Sequence, residues 1–154
     1  PVVLFLILMM VGGCTGSTSG GLKIFRFEIL FMVLRAQLLR LYSPHRVIPL
    51  RYNGKPVDAD AMVSVLSFGF VYIALMFVVA LALGGLGLEL ETAFSGAVSA
   101  VGNIGPGLGP VIGPAGTFAP LPDAAKWVLA LAMLLGRLEF FTVLVLFSTT
   151  FWRQ

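Results

Sequence analysis

The chain has 154 residues, 58% of them hydrophobic and only 11% charged, with a mean hydropathy of +1.01. Soluble domains carry about 25% charged residues, so an ordinary globular fold is excluded and an integral membrane protein is indicated. The formal charge of +3 is unevenly spread: seven of ten Lys/Arg lie between Lys23 and Lys55, while Gly84–Ala125 holds none. By the positive-inside rule the first region faces the cytoplasm and the second the opposite side.

Residues 2–11 form an apolar run too short to span a bilayer, opening without a basic leader. The chain therefore reads as starting inside a membrane element. Residues 12–21 follow, all Gly, Ser, Thr and Cys. Two readings stand. Gly12, Gly16 and Gly20 are spaced four apart, as in close helix packing. The further Gly, Ser and Thr residues, with glycine pairs at both ends, favour a loop. Residues 22–42 resume at helical spacing through Leu22, Phe25, Ile29, Met32, Val33, Ala36 and Leu39. The whole reads as one discontinuous membrane helix, an element common where ions are handled.

Residues 43–60 carry Ser43-Pro44, Ile48-Pro49, Asn53-Gly54 and Lys55-Pro56, which punctuate a turn-rich linker. Tyr52-Asn-Gly-Lys55 fits a tight hairpin. His45 lies here among basic residues and reads as solvated. Residues 61–86 are the first complete span, with 25 uncharged residues from Met62 to Leu86. Ser64, Ser67 and Gly69 mark its expected packed face.

Thr92 is the expected cap of a short helix over Ala93–Val101, with Glu91 at its positive end. That helix makes two and a half turns, roughly 13 Å, far short of a crossing. Gly102-Asn103-Ile104-Gly105-Pro106-Gly107-Leu108-Gly109 then suits no regular element. A half-helix feeding Gly-rich backbone between two long apolar runs reads as a re-entrant pore loop, its carbonyl end suited to a cation. An extended return over 109–122 carries Phe118 and Leu121. The last span, 123–151, opens at Pro122-Asp123 as turn and cap, with Trp127 and Trp152 at the two interfaces. Arg137 and Glu139 fall near its middle. Two residues apart, they point away from each other, so Arg137 needs another partner, for which the 12–21 loop is the nearest candidate. A charge at that depth is a functional candidate.

Three segments carry a family resemblance: Gly12-Gly-Cys-Thr-Gly-Ser-Thr-Ser-Gly-Gly-Leu-Lys23, Ser99-Ala-Val-Gly-Asn-Ile-Gly-Pro-Gly-Leu-Gly109, and Leu121-Pro-Asp-Ala-Ala-Lys-Trp127 with Met133-Leu-Leu-Gly-Arg-Leu-Glu-Phe-Phe-Thr142. In order and spacing the chain resembles the Trk/Ktr/HKT superfamily of potassium transporters, in particular the C-terminal part of a TrkH-type membrane subunit. The resemblance implies an all-α membrane protein built from helix–pore loop–helix repeats, like a potassium channel. Residues 1–42 would be the second helix of one repeat, broken at 12–21, residues 43–60 a cytoplasmic linker, and residues 61–151 a complete repeat with pore helix and filter at 91–109. It further implies a filter whose backbone carbonyls face potassium at Ala100, Val101, Gly102, Asn103 and Ile104. The implied gate comprises Gly12, Gly13, Thr15, Gly16, Ser17, Thr18, Ser19, Gly20 and Gly21, with Arg137 projecting toward it. Potassium would be the transported substrate, with no catalytic residue or bound cofactor. The implied partners are the remaining repeats of the same transporter, a second copy in a homodimer, the lipid bilayer and a cytoplasmic nucleotide-binding subunit. The implied location is the cell inner membrane, with 43–60 and the C-terminus cytoplasmic. One quarter of a filter cannot enclose an ion, so this stretch alone should not conduct.

Other classes fare worse. Basic residues alternating with apolar ones beside a span do not suit nucleic acid. Leu22 separates Gly21 from Lys23, so no phosphate-binding Gly-Lys-Ser/Thr forms. Cys14 is the one cysteine, allowing no internal disulfide, and no nucleophile–base set suggests an enzyme. The alternative is a membrane segment whose glycines serve helix packing and assembly.

Overall fold

The computed structural model describes residues 2–11, 21–43, 51–52 and 55–138. The described part is mostly helical: α1 (Val2–Met10), α2 (Ile24–Tyr42), α3 (Ala59–Gly85), α4 (Leu90–Gly102), α5 (Gly109–Ile112) and α6 (Asp123–Arg137). A two-stranded hairpin, β1 (Arg51–Tyr52) and β2 (Lys55–Pro56), pairs Arg51 with Pro56 and Tyr52 with Lys55. That is the register expected of a two-residue Asn-Gly connection. Gly12–Gly20, His45, Asn53–Gly54, Glu139 and the rest of the last expected span lie outside the described residues.

Among the described residues one helix is long and apolar enough to cross a membrane, Asp60–Gly85. At 1.5 Å per residue its 26 residues reach about 39 Å. Its inner stripe is Val65, Phe68, Tyr72, Met76, Val79 and Leu83, all buried, recurring every three or four residues as a helix face must. The expected small-residue face is only partly right. Gly69 is buried, 4.0 Å from Leu30 by its would-be β-carbon, but Ser64 is exposed. The larger stripe sets the helix rotation because it buries more apolar surface. On the outside, Phe70 and Leu81 are about three-quarters exposed, tolerable in lipid and a liability in water.

α4 lies between α3 and α6, which also touch each other. Ten of its thirteen residues are buried. The small side chains of Ala93, Ala97 and Ala100 allow this close approach, while Phe94 meets Phe77 of α3 edge to face at 6.1 Å. α1 packs on α4 with one side and exposes Val3, Leu4, Phe5, Ile7 and Leu8 on the other. Val11 pairs with Leu22 as parallel backbone. The ends of the 12–21 segment are thus held together, and the chain leaves in the direction in which it arrived. α2 is tied to α3 through Arg26, whose guanidinium lies 3.7 Å from the Phe68 ring centre.

Candidate functional site

The helix preceding the Gly-rich segment is longer than its sequence suggests. It begins at Leu90, where the Glu89 carbonyl accepts from the Ala93 N–H at 2.8 Å. Thr92 is therefore no cap. It lies within the first turn and is buried, and no side chain caps this end. Glu91 does occupy the first turn, where a carboxylate meets the positive end of the helix. Asp123 likewise is the first residue of α6 rather than its cap, and its carboxylate accepts from Lys126 at 3.0 Å.

At the other end α4 continues through Gly102. Ala100, Val101 and Gly102 form its last turn, and the irregular backbone starts only at Asn103. The Asn103 N–H donates to the Ala100 carbonyl at 3.1 Å and the Ile104 N–H to the Ser99 carbonyl at 3.0 Å. Asn103 itself takes the left-handed conformation, φ 52° and ψ 45°. This is the Schellman termination, with asparagine where glycine is usual. The strain of that conformation is offset by the Asn103 side chain, whose amide donates to the Met133 carbonyl of α6 at 3.0 Å. The termination satisfies the oxygens of Ser99 and Ala100 and leaves over those of Val101 and Gly102. Together these carry the partial negative charge of the helix end.

The Gly-rich segment then runs back along α4. Ser99 Oγ donates to the Gly105 carbonyl at 2.8 Å. Ser95 Oγ accepts from the Leu108 N–H at 3.0 Å and lies 3.3 Å from the Leu108 carbonyl, to which it donates. A β-carbon on Gly109 would lie 3.6 Å from the Glu91 carboxyl group. Glu91, Ser95 and Ser99 are spaced by four and share one face of the helix, so the segment retraces roughly 12 Å of it. The excursion that opens at Leu90 closes beside Glu91. Gly105 and Gly109, at φ 121° and 89°, supply the left-handed backbone that this reversal needs.

Two walls hold the end of α4. On one side, a β-carbon on Gly136 of α6 would collide with the Val101 carbonyl oxygen. On the other, a β-carbon on Gly102 would meet the Ile104 side chain at 3.0 Å and the Tyr72 hydroxyl at 3.5 Å. Arg137 follows Gly136 directly, in the last turn of α6, with its side chain exposed. Gly21 is buried beside Leu22. Ala100, Val101, Gly102, Asn103 and Ile104 thus follow one another around the end of α4, with Gly136 of α6 seated on the Val101 carbonyl and Arg137 one residue further along α6. The other expected gate residues, Gly12, Gly13, Thr15, Gly16, Ser17, Thr18, Ser19 and Gly20, lie outside the described residues.

Beyond Gly109 the expected extended return contains the single turn α5. Its Ile112 is buried, accepts from the Gly107 N–H at 2.8 Å, and packs against Gly96. Sequence reading also passed over Ser95, Ser99, the Asn103 amide and Gly136. The two serines were legible only as small residues. Their spacing of four on an otherwise apolar helix is the signal that could have singled them out.

The model of the TrkH family, described as cation transport protein, matches residues 2–153. The chain is 54% identical over 152 residues to the Trk system potassium uptake protein TrkI of Halomonas elongata, covering 99% of this chain and 31% of that protein. It is 42% identical over 153 residues to the Trk system potassium uptake protein TrkH of Salmonella typhimurium, again 99% of this chain and 31% of the relative. The crystal structure of the potassium transporter TrkH from Vibrio parahaemolyticus superposes with a TM-score of 0.86 at 37% identity, over 98% of this chain and 32% of that one. The chain spans under a third of the length of these relatives.

Proposed function

This chain belongs to the TrkH family of cation transport proteins, and from that premise we propose that it is one complete pore repeat, with the helix before it, of a potassium uptake transporter. In this reading α3, α4 with its returning segment, and α6 with the residues after it form the helix–pore loop–helix repeat of residues 61–151. α4 enters the bilayer partway. Residues 1–42 are the second helix of the preceding repeat, interrupted at 12–21 by a gating loop facing Arg137. The basic 43–60 linker is cytoplasmic, the C-terminus with it, and the membrane is the inner one. The remaining repeats, a second copy and a nucleotide-binding cytoplasmic subunit complete the assembly.

The observation that carries this reading is the geometry of α4: a buried half-helix whose last two carbonyls are left over by its own termination, followed by backbone that turns back along it. A potassium ion stripped of water needs such oxygens in its place, and non-helical backbone at membrane depth is tolerated only where protein covers it or water lines it. Ala100, Val101, Gly102, Asn103 and Ile104 are the proposed filter segment, with Gly102, Asn103 and Ile104 offering the oxygens, since that of Ala100 accepts from Asn103 and that of Val101 is seated against Gly136. One repeat supplies a quarter of a ring, and the other three quarters belong to the rest of the transporter.

In the full-length transporter Gly102→Ser places a side chain against Ile104, whose position at the filter edge must then shift. Potassium-over-sodium preference in uptake assays is expected to fall about tenfold, equivalent to about 1.4 kcal/mol. Unchanged selectivity at normal membrane abundance removes this segment from the filter. A packing and assembly role has support of its own in the tight seat of Gly136 on Val101. On that reading Gly102→Ser lowers abundance and leaves ion preference alone.

A further inference from the structure

We propose that Ser95 and Ser99 are specificity-determining positioning residues, because their hydroxyls decide which backbone oxygens remain to face a cation. The proposal rests on the filter reading above. Both serines are fully buried, with no exposed surface, on a helix whose other buried side chains are chiefly apolar. A serine inside a helix ordinarily turns its hydroxyl back to the carbonyl four residues earlier. Here both reach across to the returning segment instead.

The result is an allocation of acceptors. The oxygens of Ser99 and Ala100 are taken by the N–H groups of Ile104 and Asn103. Those of Gly105 and Leu108 are taken by Ser99 and Ser95. Val101, Gly102, Asn103 and Ile104 carry the four consecutive oxygens that neither device claims; that of Val101 is seated against Gly136, so Gly102, Asn103 and Ile104 hold those open to a cation. Ser95 also accepts from the Leu108 N–H, so the segment is fixed in register at both ends of its run along α4.

Selectivity by carbonyls depends on how many oxygens surround the ion and how freely they close on it. Without the Ser99 hydroxyl, the Gly105 oxygen becomes an extra, loosely held ligand, since glycine at φ 121° has no side chain to restrain it. An oxygen free to move can close on a smaller ion as readily as on a larger one, so sodium gains on potassium.

The test uses the full-length transporter in cells lacking other potassium uptake, with potassium, rubidium and sodium as the ions measured. Ser99→Ala is expected to lower potassium-over-sodium preference about three- to tenfold, the range set by one net hydrogen bond. Ser99→Cys nearly keeps the volume but donates poorly, and is expected to follow it. Ser95→Ala should shift the ratio in the same direction by less. If Ser99→Ala does not accumulate in the membrane, Ser99→Cys gives the reading. A selectivity ratio equal to the parent's in Ser99→Cys, with only abundance or maximal rate reduced, makes the serines merely structural and overturns the proposal. Gly102→Ser run alongside separates the failures. If it lowers selectivity and the serine variants do not, the serine assignment alone falls. If it too leaves selectivity unchanged, the filter reading falls with it.

Discussion

Asn103 holds a conformation that L-residues other than asparagine and aspartate seldom adopt, and it does so with its amide tied to Met133. Asn103→Ala loses both advantages and is expected to cost about 2 kcal/mol. Asn103→Gly keeps the left-handed backbone and should cost only the hydrogen bond, about 1 kcal/mol. Thermal unfolding of the purified transporter in detergent orders the two; equal losses would mean that the backbone angle is not the issue. Gly136 carries a second constraint of this size. Its α-carbon lies on the Val101 carbonyl, and the clash from an added methyl is with backbone, which cannot swing aside. Gly136→Ala is expected to destabilise by about 1–3 kcal/mol, as overpacking does, and to abolish transport. Normal uptake by that variant would show that α6 does not press on the end of α4. Gly102 differs in kind, since its neighbours are the tip of Ile104 and a hydroxyl, both able to give. Its substitution is therefore a test of selectivity more than of folding.

Among the elements, α4 is the one whose limits the sequence blurred. Thr92 is the expected cap and Ala93–Val101 the expected helix; the helix runs from Leu90 to Gly102. Leu90 and Gly102 carry no conventional helix signal. Packing between α3 and α6 extends the helix past them because each added turn buries backbone and completes another hydrogen bond. The Gly-rich segment was legible as irregular backbone from Gly105, Pro106, Gly107 and Gly109. Its path back along α4 was not, because that depends on hydroxyls meeting carbonyls six and thirteen residues away. The 12–21 segment shows the reverse: its composition is plain in sequence, and the parallel Val11–Leu22 pair holds the residues flanking it at one place. If this segment and Arg137 form a barrier below the filter, shortening the segment or making Arg137→Ala should raise potassium flux several-fold, since a cation in the path repels cations. Flux equal to the parent's in both variants would leave the segment a packing feature.

For the molecule as a whole, the exposed apolar faces of α1 and α3 need lipid or further protein, and the family membership supplies both in the proposed assembly. In the proposed orientation, argued from charge, the basic linker of residues 43–60 lies on the cytoplasmic side. A cysteine at Tyr52 in the full-length transporter, in a background with Cys14 replaced, should resist a membrane-impermeant thiol reagent applied to intact cells and react once they are opened. Labelling from outside would reverse the proposed topology. The apolar runs, the asymmetric charge and the glycine punctuation pointed by themselves to a membrane protein with a short helix running into irregular backbone, because hydrophobic length and backbone freedom are local properties of the chain. Only the tertiary structure decided which oxygens the end of that helix leaves over. Asn103, Ser95, Ser99 and Gly136 set this jointly, and no local pattern records which donors a neighbouring helix or a returning segment will bring within reach.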